Sequence, residues 1–125
     1  MLDHVSIGVS DLAKSKLFYD AALAPLGYGC VSESAEMLGY GHDAIAFCVL
    51  PTDRPVPDDA QSGLHFCFAA PNRAAVATFH AAALRAGGRD NGAPGLRSEY
   101  GADYYAAFVV DPDGYRLEAY CGRSE

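Results

Sequence analysis

Residues 2–9 alternate between apolar and polar or small side chains. Val5, Ile7 and Val9 take one face of an extended segment, and His4, Ser6 and Gly8 take the other. Ser10-Asp11 then offers an N-cap, and Leu12–Leu23 reads as a helix carrying Leu17 and Phe18, closed by Pro25 and Gly27. Strands are expected near Tyr28–Ser32, near Glu36–Tyr40 and over Ala44–Leu50, with Gly41-His42-Asp43 as a hairpin turn between the last two. Pro51–Ser62 is rich in proline and aspartate and nearly free of large apolar residues, so it reads as a linker.

The order then recurs. Leu64, Phe66 and Phe68 alternate with His65, Cys67 and Ala69, and Asn72 is placed to cap a helix from Arg73 to Ala86 that ends at Gly87-Gly88. Residues 89–105 read as a long loop leading to a strand near Leu96–Tyr100. Ala106–Val110 and Tyr115–Cys121 are strands joined by the turn Asp111-Pro112-Asp113-Gly114. Both halves therefore read βαβββ, with module 1 at about residues 1–50, a linker at 51–62 and module 2 at about 63–121, all within one domain. A register offset of 61 positions pairs His4 with His65, Phe18 with Phe79, Leu23 with Leu84 and Gly27 with Gly88. An internal pseudo-twofold of this kind can bring its two histidines to one point. His4, Ser6 and Gly8, with His65, Cys67 and Ala69, are too small or polar to fill a core, so their face is expected to line a cavity.

Composition narrows the function classes. At 125 residues and 50% hydrophobic, the chain can bury a core and is not disordered. A net charge of −7 without any basic cluster argues against nucleic acid and anionic membranes as partners. No apolar run reaches the ~20 residues of a membrane helix. The strand pattern begins within a few residues of Met1, so no signal peptide is expected and the cytoplasm is the expected compartment. Cysteines 30, 48, 67 and 121 show no zinc-knuckle spacing, and the last three sit in apolar strands, where cysteine acts as a small hydrophobe. His42 and His80 read as surface residues.

One residue breaks the pattern. Glu118 stands between the apolar Leu117 and Ala119, sharing a strand face with Arg116 and Tyr120. A carboxylate there must be solvated, paired or bound to a metal. Two imidazoles and one carboxylate make a set that holds a divalent first-row ion with positions left open. His4, His65 and Glu118 are the candidate metal ligands, for Fe, Zn, Ni, Mn or Co. Tyr120, Tyr105 and Arg116 are candidates for substrate contact, beside a tyrosine-rich stretch that includes Tyr100 and Tyr104. Glu99 or a tyrosine is a candidate general base.

These stretches resemble the vicinal oxygen chelate superfamily of glyoxalases, bleomycin resistance proteins and extradiol dioxygenases. The matching residues are Asp3-His4-Val5-Ser6-Ile7-Gly8-Val9-Ser10-Asp11-Leu12, Phe18-Tyr19, Leu26-Gly27, His65-Phe66 and Asp111 through Glu118. The resemblance implies an α+β fold: two βαβββ modules forming a cupped mixed sheet with helices outside. It also implies metal ligation by His4, His65 and Glu118, with Glu118 catalytic. The expected activity is a metal-dependent lyase or isomerase, or a dioxygenase, acting on a small molecule that chelates the ion through adjacent oxygens. A homodimer is expected, in some relatives with a site shared between chains. Glyoxalase I enzymes use a fourth ligand, a glutamate in the last strand of module 1. Here that strand offers Ile45 or Phe47 opposite Glu118, both expected on the cavity face, which disfavours a lactoylglutathione lyase. The alternative function is a metal-free small-molecule binding protein of the bleomycin-resistance type. A plain ferredoxin-like domain is disfavoured by the additional strands.

Overall fold

The structure is a computed structural model that describes residues 1–124. It contains the doubled βαβββ order: β1 (Val5–Val9), α1 (Leu12–Leu23), β2 (Gly29–Ser34), β3 (Met37–Gly41), β4 (Ile45–Pro51), then β5 (His65–Ala69), α2 (Arg73–Arg85), β6 (Arg89–Leu96), β7 (Tyr105–Val110) and β8 (Arg116–Cys121). Single 3-10 turns follow α1 (Ala24–Leu26) and close the linker (Ala60–Ser62). Neither helix is long and apolar enough to cross a membrane.

Both helices start where the sequence places a cap. The Asp11 side chain accepts from the Lys14 amide (3.1 Å), and Asn72 accepts from the Ala75 amide (2.8 Å), each satisfying a first-turn N–H that has no helical partner. After α1, Gly27 takes a left-handed φ of 89°, and its amide returns to the Ala24 carbonyl.

The eight strands form two four-stranded mixed sheets, ordered β1-β4-β3-β2 and β5-β8-β7-β6, one from each module. In each sheet the first strand runs parallel to the last strand of its module, and the remaining pairs are antiparallel. β1 and β5 are therefore edge strands. The modules are joined through one core. α1 and α2 pack together and against their own sheets, and Phe18, Tyr19, Val76 and Phe79 are sealed between them. Phe47 of β4 meets Tyr19, Phe66 and Phe68 with ring centroids 5.2, 6.1 and 5.3 Å away, which ties module 1 to β5.

Polar ties add to that core. The buried Asp111 accepts from the Tyr19 hydroxyl at 2.5 Å and from the amides of Asp113 and Tyr115 at 2.9 and 2.8 Å. Tyr115 donates its hydroxyl to the Gly8 carbonyl (2.6 Å), and Tyr28 donates to Ala69 (2.9 Å). The Asp-Pro-Asp-Gly turn thus clamps module 2 onto α1 and the end of β1. Asp58 of the linker binds Arg116 (2.8 Å) and Arg89 (3.1 Å), strapping the linker over sheet 2. Gly114, at φ 103°, lies against the Asp58 side chain, so the strap needs a residue without a Cβ there.

The expected strand near Leu96–Tyr100 is displaced. The strand is Arg89–Leu96, and residues 97–104 are turns. Gly92, Pro94 and Gly95, read as loop markers, instead sit in a twice-bulged edge strand, where a missing proline N–H costs no ladder bond. His80 also departs from expectation: its side chain is 12% exposed and pairs with Asp90 at 2.9 Å, holding that carboxyl below its usual pKa. Among the cysteines, Cys48 and Cys121 are buried as expected, but Cys67 is exposed.

Candidate active site

Residues 65 and 67 on β5 and 116, 118 and 120 on β8 share one face because the strands pair in parallel, His65 with Arg116 and Cys67 with Glu118. On β7, Phe108 pairs with Glu118. His65, Arg116 and Glu118 of that face floor a cavity of about 450 Å³ whose walls include Leu64, Asn91, Tyr100, Tyr104 and Phe108.

Glu118 is the centre of the floor. Its side chain is only 4% exposed. One carboxylate oxygen, Oε1, is 3.1 Å from His65 Nε2, and the other, Oε2, accepts the Tyr104 hydroxyl at 2.6 Å. Burial and the facing carboxylate raise the Tyr104 pKa well above the usual phenol range, so the phenol stays a donor. The same two causes, burial first, push the Cys67 thiol up to about 12. At pH 8 this leaves a thiolate fraction on the order of a thousandfold below that of an ordinary cysteine. Cys67, although exposed, is therefore expected to react with iodoacetamide at least tenfold more slowly than a free thiol, even after its higher intrinsic nucleophilicity is counted. Mass-spectrometric alkylation rates check this.

The arrangement suits one side of a metal site. Two ligands at right angles on one ion, each about 2.0–2.2 Å from it, stand about 3 Å apart, and the His65–Glu118 separation is 3.1 Å. His65 is half exposed, so Nε2 can be reached from the cavity. Among the described residues, no third His, Cys, Asp or Glu completes the group. His4 is exposed on the other sheet's side, with Nδ1 on Asp3 at 2.8 Å, and among the described residues no three His, Cys, Asp or Glu side chains gather closely enough to hold an ion. Among the described residues of one chain, His4, His65 and Glu118 do not gather into a three-ligand group.

The other candidates divide. Tyr120 shares the Glu118 face and stacks on Tyr104 with ring centroids 4.2 Å apart. Arg116 lines the cavity, but its Nη1 is engaged by Asp58 and the Gly114 carbonyl. Tyr105 is not in the cavity: it packs against the core, beneath the Arg73 guanidinium of α2 at 5.2 Å. Its neighbour Tyr104 takes the place expected for it, since residues 104, 106 and 108 share parity and Phe108 pairs with Glu118. Alternation from Phe108 was the one sequence signal for this. Glu99 lies exposed in the 97–104 turns, outside the cavity lining.

The register also corrects the counterpart of Glu118. Ser6 pairs with Cys48 as its repeat-mate Cys67 pairs with Glu118, so the counterpart is Cys48 rather than Ile45 or Phe47. Phe47 is a buried core residue that borders a second cavity together with His65 and Cys67 rather than the one floored by Glu118. Ile45 leans over Gly39, where a Cβ would lie 2.8 Å from its Cδ1. No carboxylate occupies the fourth position, as expected.

Paired βαβββ modules with a His–carboxylate pair flooring a cavity define a glyoxalase-type domain. The chain belongs to the Glyoxalase/Bleomycin resistance protein/Dioxygenase superfamily, whose sequence model matches residues 1–119. A glyoxalase/bleomycin resistance protein from Albidiferax ferrireducens is 34% identical over 96% of this chain and 97% of its own, with a TM-score of 0.82. Two further structures share the fold. A glyoxalase-related enzyme from Fulvimarina pelagi has 19% identity, a TM-score of 0.72 and coverage of 96% and 86%. The fosfomycin resistance protein FosX from Listeria monocytogenes has 14% identity, a TM-score of 0.71 and coverage of 99% and 94%. No curated protein matches the chain.

Proposed function

We propose that this protein is a metal-dependent enzyme of the lyase/isomerase or dioxygenase type, active as a cytoplasmic homodimer. Its metal site would combine His65 and Glu118 of one subunit with His4 of a second copy. The observation that carries this reading is the 3.1 Å pair of His65 Nε2 and Glu118 Oε1 at the floor of a cavity. Bound there, a divalent ion would supply Lewis acidity toward two adjacent oxygens of a small substrate. The chain supplies the rest. Leu64, Tyr100 and Phe108 form an apolar wall against water, Asn91 offers an amide to a polar group, and Asp58 fixes the wall by holding Arg116. The edge position of β1 and β5 and the exposure of His4 leave both half-sites open to a second copy.

Mixing two inactive variants tests the sharing. His4→Ala and Glu118→Gln chains, unfolded together and refolded, should recover about one quarter of the intact sites, because half the dimers are mixed and each mixed dimer rebuilds one site of two. Metal content and turnover should rise together. If the mixture recovers nothing, the shared site is wrong; if the unmutated protein stays metal-free at micromolar divalent ion, so is metal dependence.

A second reading is supported by Glu118 itself, which is already satisfied by His65 and Tyr104 without an ion. In that case the protein sequesters a small molecule in the same cavity. Ligand binding that persists in excess chelator would select this reading.

A further inference from the structure

Tyr104 donates its hydroxyl to the Glu118 carboxylate at 2.6 Å, and its position is over-determined. It stands at the end of a turn closed by three backbone bonds: Arg97 N to Tyr104 O (2.7 Å), Tyr100 N to Arg97 O (2.9 Å) and Tyr104 N to Gly101 O (3.2 Å). Arg97 anchors that turn to β6 through the carbonyls of Ala93 (2.7 Å) and Gly95 (2.9 Å) and lies over the Phe108 ring. The Tyr104 ring is held between Tyr120 and Tyr100, at centroid distances of 4.2 and 5.3 Å. A phenol fixed this way, donating at 2.6 Å to Oε2, leaves only Oε1 turned toward His65.

We propose that Tyr104 is a positioning residue for the metal site: it ties up Glu118 Oε2 so that the carboxylate meets an ion through Oε1 alone. The proposal rests on the metal-dependent reading above. A carboxylate with both oxygens free can turn and chelate an ion with both, taking a position that a substrate oxygen needs. With Oε2 held by the phenol, that turn breaks a charge-assisted hydrogen bond, one of the stronger kinds in proteins. Hydrogen-bond partners of metal ligands typically change metal affinity 10–100-fold.

The test uses the full-length protein, cobalt(II) as the probe, and Tyr104→Phe, which keeps the ring stack and removes only the hydroxyl. The expected result is a Co²⁺ affinity changed roughly ten- to hundredfold, together with a visible Co²⁺ spectrum that weakens as the carboxylate adds its second oxygen. Thermal unfolding of the metal-free variant, followed by tyrosine near-UV circular dichroism, verifies that the fold survives; the chain has no tryptophan to mask the signal. Unchanged affinity and spectrum in Tyr104→Phe would overturn the proposal and leave the metal site standing. A changed affinity with an unchanged spectrum would also overturn it, assigning the phenol to the fold alone. If the unmutated protein binds no Co²⁺, both the proposal and the metal-dependent reading fall.

Discussion

Glu118→Gln is expected to lower divalent-ion affinity by at least about a hundredfold and to remove turnover with it. The side chain keeps its size, so its space on β8 stays filled, and an amide can still accept from Tyr104 through its carbonyl. What it loses is the negative charge that makes the oxygen facing His65 a competent ligand. Isothermal titration with Zn²⁺, Mn²⁺ and Co²⁺ measures the change. Equal affinity in the variant would show that the carboxylate is only a buried hydrogen-bond acceptor. That outcome would favour the metal-free reading, since Glu118 is already paired at 3.1 and 2.6 Å within the chain.

Asp111→Ala is expected to cost stability rather than chemistry, by about 3–5 kcal/mol. The carboxylate is 2% exposed and accepts three hydrogen bonds, from Tyr19 Oη and the amides of Asp113 and Tyr115. Removing it leaves two buried donors and the part-buried Asp113 amide without their acceptor, and the cost approaches the whole stability of a marginal domain, about 5–15 kcal/mol. Asp111→Asn keeps an acceptor and should cost less. Urea denaturation gives both values, and a loss below about 1 kcal/mol for Asp111→Ala would show that water replaces the carboxylate.

Asp111 also fixes a sign in the pH dependence. Burial raises its pKa, and the hydrogen bonds from Tyr19 and the two amides only partly offset that. The folded state therefore binds the proton more tightly than the unfolded chain. Its contribution is most favourable below the ordinary carboxylate pKa and is lost as pH rises through the raised value. Asp58 and Asp90 act oppositely. Arg116 and Arg89 lower the first, and His80 and the Gly92 amide lower the second, so their contributions are present above the ordinary pKa and fade on acidification. Unfolding curves for Asp111→Asn should accordingly lose the component that favours folding as pH drops toward 4.

The sequence by itself determined the doubled βαβββ order, the caps at Asp11 and Asn72, the face carrying His65, Glu118 and Tyr120, and the family. Each of these depends on local periodicity or on the spacing of one repeat against the other, both written along the chain. The tertiary structure alone decided three others. Gly92, Pro94 and Gly95 mark an edge strand rather than a loop, because edge pairing tolerates bulges and a missing N–H that local composition reads as breakers. Cys48, not Ile45 or Phe47, opposes Glu118 across the pseudo-twofold, because ladder pairing rather than matched cysteines sets register. Last, among the described residues of one chain, His4 does not join His65 and Glu118 in a three-ligand group. The repeat guarantees that the two histidines hold equivalent places in equivalent modules, but whether those places face each other depends on how the modules dock. That docking is set by the core that joins α1, α2 and Phe47, which no periodicity encodes.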